Sequence, residues 1–130
     1  MDEQTIIKLL FDKKKEALAL YSNFKVSSVL TTDDNQIFTG VNIECSSYGL
    51  TVCAERVALF KALSEGYKKF KNIYIMSDLN EPCPPCGACR QVLMDFAPEI
   101  KVIMYTAEGK KKESSLDELL PFAFGKENLK

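Results

Sequence analysis

The strongest constraint on this chain is the order in which helical and strand periods alternate along it. Residues from about Glu3 to Ser22 have helical spacing, with Ile7, Leu10, Leu18 and Tyr21 near one face. Lys13, Lys14 and Lys15 interrupt that stripe and read as a solvated turn whose stems lie along apolar surface. "KVSSVLTT" and "IFTGVNIE" read as strands separated by the turn "DDNQ". "CAERVALFKALSEG" is a helix with Val57, Leu59, Phe60 and Leu63 as its apolar positions and Gly66 at its stop. "NIYIMS" is a short buried strand, "GACRQVLMDF" a helix ended before Pro98, and "IKVIMYT" a strand. "KKKESS" reads as an edge strand and "LDELLP" as a closing helix. The order α-β-β-α-β-α-β-β-α predicts one mixed sheet with helices on both faces.

The remaining global features narrow the function classes. A chain of 130 residues without repeat or long linker predicts one domain over 1–130. A formal net charge of −1 argues against a general grip on nucleic acid or anionic membrane. No apolar run approaches the roughly 20 residues of a membrane span. The opening "MDEQTIIKLL" is acidic and has no signal-peptide pattern, so a cytoplasmic location is expected.

The chain has five cysteines and no histidine. In a reducing compartment, clustered cysteines point to metal binding or catalysis rather than to disulfides. Cys45 reads as an apolar filler beside a strand. Cys53 falls at the start of one helix, and Cys86 and Cys89 bracket the start of the next. Helix N-termini lower thiol pKa, and thiolates are the soft ligands that Zn²⁺ prefers. Three thiolates leave a fourth position open, the arrangement of catalytic zinc. Two other readings stand beside it: a structural site of four thiolates that includes Cys83, and reduced cysteines without chemical role. Glu55 bears on the choice. At a helix start Cys53 and Glu55 can face one pocket, where a carboxylate moves protons. The alternative for Glu55 is an acid that stabilises the helix dipole.

"CAER" followed by "PCGACRQVL" resembles the zinc-dependent cytidine deaminases, specifically the small homotetrameric type. "YSNFKV", "FTGVNIE", "SSYGLTVCAER" and "LLPFAFG" fall where that family has counterparts, so the resemblance covers nearly the whole chain. It implies a three-layer α/β/α fold with a five-stranded mixed sheet. It also implies hydrolytic deamination of cytidine and 2′-deoxycytidine to the uridine products with release of ammonia, as in pyrimidine salvage. Cys53, Cys86 and Cys89 would bind Zn²⁺, and Glu55 would shuttle protons among water, ring N3 and the departing amino group. Asn42 and Glu44 would hold the ribose hydroxyls, Phe24 would stack on the base, and Ala54 would offer backbone groups to the base edge. Tyr48 and Phe124 would reach a neighbouring subunit's site, against the plainer readings of a turn aromatic for Tyr48 and a core aromatic for Phe124.

Arg56 is a candidate for offsetting the net negative charge of zinc with three thiolates, against the plainer reading of a surface cation. Arg90 is a second candidate for the same task. The chain departs from the family pattern at Ser27, Ser28 and Val29, where a Gly-Ala-Ala run is usual. It departs again at Cys45 and Ser46, where Asn and Ala are usual, and at Cys83, an added thiol expected to be a bystander. Two other functions stay open at this point: a deaminase of another small molecule such as blasticidin S, and a nonenzymatic zinc module. The Glu44 carboxylate and the lack of a basic groove predict that free nucleosides react and polynucleotides do not.

Overall fold

The computed structural model describes residues 1–129. Strands β1 (Val26–Thr32), β2 (Ile37–Val41), β3 (Phe70–Ser77), β4 (Lys101–Tyr105) and β5 (Lys111–Ser115) form one sheet in the order β2-β1-β3-β4-β5. β3 and β4 pair in parallel and the other three pairs are antiparallel. A parallel pair needs a crossover, and helix α3 (Gly87–Phe96) supplies it.

The period of two along each strand divides the core between the two faces. Leu30, Ile73, Ile75, Val102 and Met104 pack against helices α2 (Ala54–Ser64), α3 and α4 (Leu116–Leu119), through Ala58, Leu59, Leu93 and Leu116. Their strand neighbours Val29, Met76, Ile103 and Tyr105 pack on the opposite face against Ile6 and Leu10 of helix α1 (Glu3–Lys14). This is the expected three-layer α/β/α arrangement around a five-stranded mixed sheet. No helix among the described residues is long and apolar enough to cross a membrane.

The structure differs from the sequence reading in the first helix. α1 ends at Lys14, not near Ser22. The next backbone groups go to a distant partner: Leu18 N–H donates to the Asn42 carbonyl, and Glu44 N–H donates to the Leu18 carbonyl, each at 3.0 Å. Leu18 and Tyr21, assigned to the apolar face, are therefore exposed. The lysines also divide. Lys15 holds its ammonium 5.1 Å from the centre of the Phe11 ring, a cation–π contact, whereas Lys14 is mostly buried and pairs with Asp78 at 2.7 Å. In α2 the buried face is made of Ala54, Ala58, Leu59 and Ala62, while Phe60 is exposed.

The small residues of α2 and β2 let the helix lie close to the sheet. A Cβ at Gly40 would overlap the Ala54 carbonyl oxygen and lie 2.7 Å from the Ala58 nitrogen. Gly40 pairs with Ser28 in the β1–β2 register, and the Ser28 hydroxyl donates to the Ala54 carbonyl at 2.8 Å. Ser27, on the other face, donates to the Leu10 carbonyl at 2.7 Å. Both serines are fully buried, so each needs these partners. The serines at the departure from the family pattern thus tie β1 to a helix on each side, and Ser28 fixes the start of α2.

Candidate active site

The starts of α2 and α3 are built alike. Cys53 and Cys86 are their N-cap residues, both in extended backbone, and neither side chain caps its own helix. Each thiol is therefore free to face the other helix. The Sγ atoms of Cys53 and Cys86 are 3.4 Å apart, and those of Cys86 and Cys89 are 3.5 Å apart. All three sulfurs lie within 4.8 Å of one another. A Zn–S bond of about 2.3 Å with tetrahedral angles separates sulfurs by about 3.8 Å, so this donor set fits a zinc ion. Cys83 does not join the cluster, and its thiol contacts the Pro84 carbonyl at 3.6 Å. The four-thiolate arrangement is not assembled.

The electrostatics of the cluster suit metal capture. The Cys53 thiol is held down at about 5, first because the Cys89 thiol donates to it and then because Arg56 does. The same bond to Cys53, together with burial, pushes the Cys89 thiol up. Arg56 Nη2 lies 3.7 Å from Cys53 Sγ, and its charge is reinforced by that contact. Sulfur contact, rather than a free surface position, is where this guanidinium sits.

Glu55 lies one residue into α2 and is only 4% exposed. Its Oε1 is buried without a hydrogen-bond partner, as is Arg56 Nε. Burial, with the Cys53 charge acting in the same direction, pushes the Glu55 carboxyl up to about 7. A buried carboxylate oxygen left unpartnered is costly unless something completes it. Here it lines a cleft of about 260 Å³ together with Phe24, Val26, Asn42, Glu44, Cys53, Ala54, Ile75, Cys83 and Cys86. The volume is at the small end of ligand-pocket sizes.

Asn42 and Glu44 are both at the cleft, but much of their hydrogen bonding is spent within the chain. Asn42 accepts from Val26 N–H at 2.9 Å and donates to the Phe24 carbonyl at 2.8 Å. Its amide thereby fixes the segment that carries Phe24. Glu44 accepts from the amides of Tyr21 and Ser22, each at 2.9 Å, and from the Ser22 hydroxyl. These Ser22 bonds hold the Glu44 carboxyl below its ordinary range. They also explain why the chain cannot remain helical through Ser22. Ser22 is the site residue that sequence reasoning missed. Its signal was the "YSN" turn, in which Asn23 has φ 54°.

Tyr48 and Phe124 are not brought into this cleft. Tyr48 is 73% exposed, packs edge-on against Tyr21, and borders a separate open depression with Ser22, Glu44 and Thr51. Phe124 is 57% exposed, and its carbonyl accepts from Gln91 Nε2 at 2.8 Å. Arg90 touches carbonyls rather than the cluster: Pro85 at 2.8 Å and Leu119 at 2.6 Å. The expectation that it is a second charge-compensating cation at the sulfurs is corrected. Its side chain reaches back along the helix toward the loop, as helical side chains do, and meets backbone oxygen there.

Known proteins share both the sequence and this architecture. A family model described as "Cytidine and deoxycytidylate deaminase zinc-binding region" matches residues 1–106. A cytidine deaminase of Halalkalibacterium halodurans is 44% identical over 130 residues, covering 99% of this chain and 98% of the relative. A probable cytidine deaminase of Dictyostelium discoideum is 48% identical over 110 residues, covering 84% of this chain and 74% of the relative. The crystal structure of cytidine deaminase from Burkholderia pseudomallei superposes with a TM-score of 0.90 at 41% identity, covering 95% of this chain and 100% of that one. With its thiolate cluster at paired helix starts, this chain belongs to the zinc-binding cytidine and deoxycytidylate deaminase family.

Proposed function

We propose that the protein catalyses hydrolytic deamination of cytidine and 2′-deoxycytidine, forming the corresponding uridines and ammonia, with the whole chain acting as one catalytic domain. The observation that carries this reading is Glu55: a buried carboxyl with one oxygen unpartnered, raised to about 7, beside a three-thiolate cluster and inside a small cleft.

Cys53, Cys86 and Cys89 would hold the zinc ion. When bound, the ion supplies Lewis acidity that turns water into a nucleophile near neutral pH. The residues of the chain do the rest. Glu55 takes a proton from water and gives it to ring N3, then takes the second proton from the oxygen added at C4 and gives it to the departing amino group, so that ammonia leaves and C4 keeps a carbonyl. C4 gains an oxygen and loses its nitrogen. A carboxyl near 7 can both donate and accept at neutral pH, which a carboxyl at its ordinary value does poorly. The first amides of α2, including that of Ala54, have no helical partner and are available to the base edge. Phe24 offers its ring to the base. Glu44, already ionised and held by Ser22, accepts from a ribose hydroxyl, with Asn42 bracing it at 3.5 Å.

Arg56 keeps the thiolates from accumulating uncompensated negative charge. Arg56→Ala is expected to lower cytidine turnover at neutral pH roughly 10-fold or more while zinc per chain stays near the wild-type value. Turnover and metal content measured on one preparation check this, and equal loss of both would reduce Arg56 to a structural role.

The exposure of Tyr48 and Phe124 favours their contribution to the site of another copy in a homotetramer. The unpaired thiols suit a reducing, cytoplasmic setting.

The substrate class is tested by offering cytidine, deoxycytidine, cytosine, CMP, blasticidin S and a cytosine-bearing single strand in parallel, with ammonia release as readout. Free nucleosides are expected to react. The strand is expected not to, because a phosphate near the Glu44 carboxylate is repelled and no basic groove compensates. Comparable rates on the oligonucleotide would overturn the reading, and reaction of blasticidin S alone would reassign the substrate.

A further inference from the structure

The loop before α3 carries the first thiolate of that helix; Lys110 Nζ fastens its far end, at the Asn80 carbonyl (3.4 Å) and the Glu81 carboxylate (3.3 Å), but the stretch next to Cys86 has little to hold it. Pro82, Pro84 and Pro85 remove backbone N–H donors from the loop. Among the described residues, no amide of residues 80–86 donates to a backbone carbonyl. A loop that places a metal ligand needs fastening from outside.

Arg90 provides it. Nε donates to the carbonyl of buried Pro85, the residue next to Cys86, at 2.8 Å. Nη1 donates to the carbonyl of Leu119, the last residue of α4, at 2.6 Å. The planar guanidinium presents its donors in a fixed fork, so it sets the distance between two oxygens as a flexible ammonium cannot. Gln91 adds a bond at 2.8 Å to the Phe124 carbonyl, five residues further along the same C-terminal segment. Consecutive side chains after Cys89 therefore grip both ends of residues 119–124, and one of them also grips the ligand loop.

We propose that Arg90 is a positioning residue of the metal centre: by clamping the Pro85 carbonyl to the Leu119 carbonyl it holds Cys86 in place and makes the C-terminal segment part of the support for metal retention. The proposal rests on the assignment of Cys53, Cys86 and Cys89 as the ligands.

Transfer of zinc from the loaded, full-length protein to a chromophoric chelator tests it, with visible absorption of the cobalt(II)-substituted protein as a second readout of ligand geometry. Arg90→Met is expected to release zinc roughly 10–100-fold faster, the range found when the partners of metal ligands are removed, and to alter the cobalt spectrum. Arg90→Lys, which can satisfy one carbonyl but not both, should fall between Met and wild type. Ser115→Ala is the control: it removes the capping box that Ser115 and Glu118 form at the start of α4, leaving the Pro85 contact untouched, and should release zinc at the wild-type rate. Wild-type release and spectrum in Arg90→Met would overturn the proposal. So would equally fast release from Ser115→Ala, which would mean that general loosening is enough. If Arg90→Met does not fold, wild-type behaviour of Arg90→Lys overturns it and faster release sustains it. The zinc readout needs no substrate. A wild-type protein that retains zinc but leaves cytidine unchanged would therefore sink the deaminase reading and not this one.

Discussion

Glu55→Gln is expected to keep its zinc and its fold while losing at least ~10²-fold in cytidine turnover, the low end of what a general acid–base group supplies. The substitution preserves volume and much of the hydrogen-bonding shape, and it leaves Cys53, Cys86 and Cys89 untouched. It also removes a buried carboxyl that would otherwise bear the cost of ionising with one oxygen unpartnered, so folding stability should not fall and can rise. A helix-start acid with only a dipole role behaves differently, because its loss costs under about 1 kcal/mol of stability and leaves turnover nearly intact. Zinc per chain, thermal unfolding and turnover on one preparation separate the two roles. Full zinc with full activity would end the case for Glu55 as the proton carrier.

Removal of the metal is the second large effect. Chelation is expected to reduce turnover to background, and zinc is expected to restore it in proportion to metal bound, reaching full activity at one ion per chain. Far-UV circular dichroism should change little. Both apolar clusters are filled by apolar side chains of β1 to β4, of α1 to α4 and of the adjoining loops, and neither includes Cys53, Cys86 or Cys89. Cys53, Cys86 and Cys89, which would hold the metal, sit instead at the starts of α2 and α3. Loss of the metal should lower the unfolding midpoint, since an ion that binds only the folded state adds stability by mass action. Complete unfolding without metal, or turnover that survives chelation with zinc shown to be absent, would contradict this account.

Several features were legible because they are local. The Cys86-x-x-Cys89 spacing places two thiols on a single turn whatever surrounds it. A cysteine at an N-cap with a glutamate two residues on is likewise decided by the backbone at a helix start. The strands were legible because burial on both faces leaves continuous apolar runs such as Ile73–Met76 and Val102–Tyr105.

Other features depended on partners far away in the chain. Helical periodicity ran on past Lys14, but the backbone of Leu18 pairs with residues 42–44 and the amides of Tyr21 and Ser22 bind Glu44, so long-range bonds overrode the local pattern. Arg90 and Arg56 could not be told apart from sequence as cations near cysteines. Their difference is directional: one guanidinium meets sulfur, while the other bridges two carbonyls. Ser28 looked like a packing detail until its hydroxyl was found on the Ala54 carbonyl.

The amino-acid sequence by itself determined the element order, the Cys86-x-x-Cys89 spacing, the placement of Glu55 next to Cys53, and the family. Each of these is set by residue type and by separations of a few positions. Only the tertiary structure decided that Cys53 and Cys86 meet at 3.4 Å, that Cys83 stays outside the cluster, and that Glu55 is buried with its Oε1 unpartnered. The placement of Cys53 and Glu55 at the start of α2 depends on how closely that helix can approach the sheet, which the missing side chain at Gly40 allows and the Ser28 hydroxyl fastens, both from strands earlier in the chain.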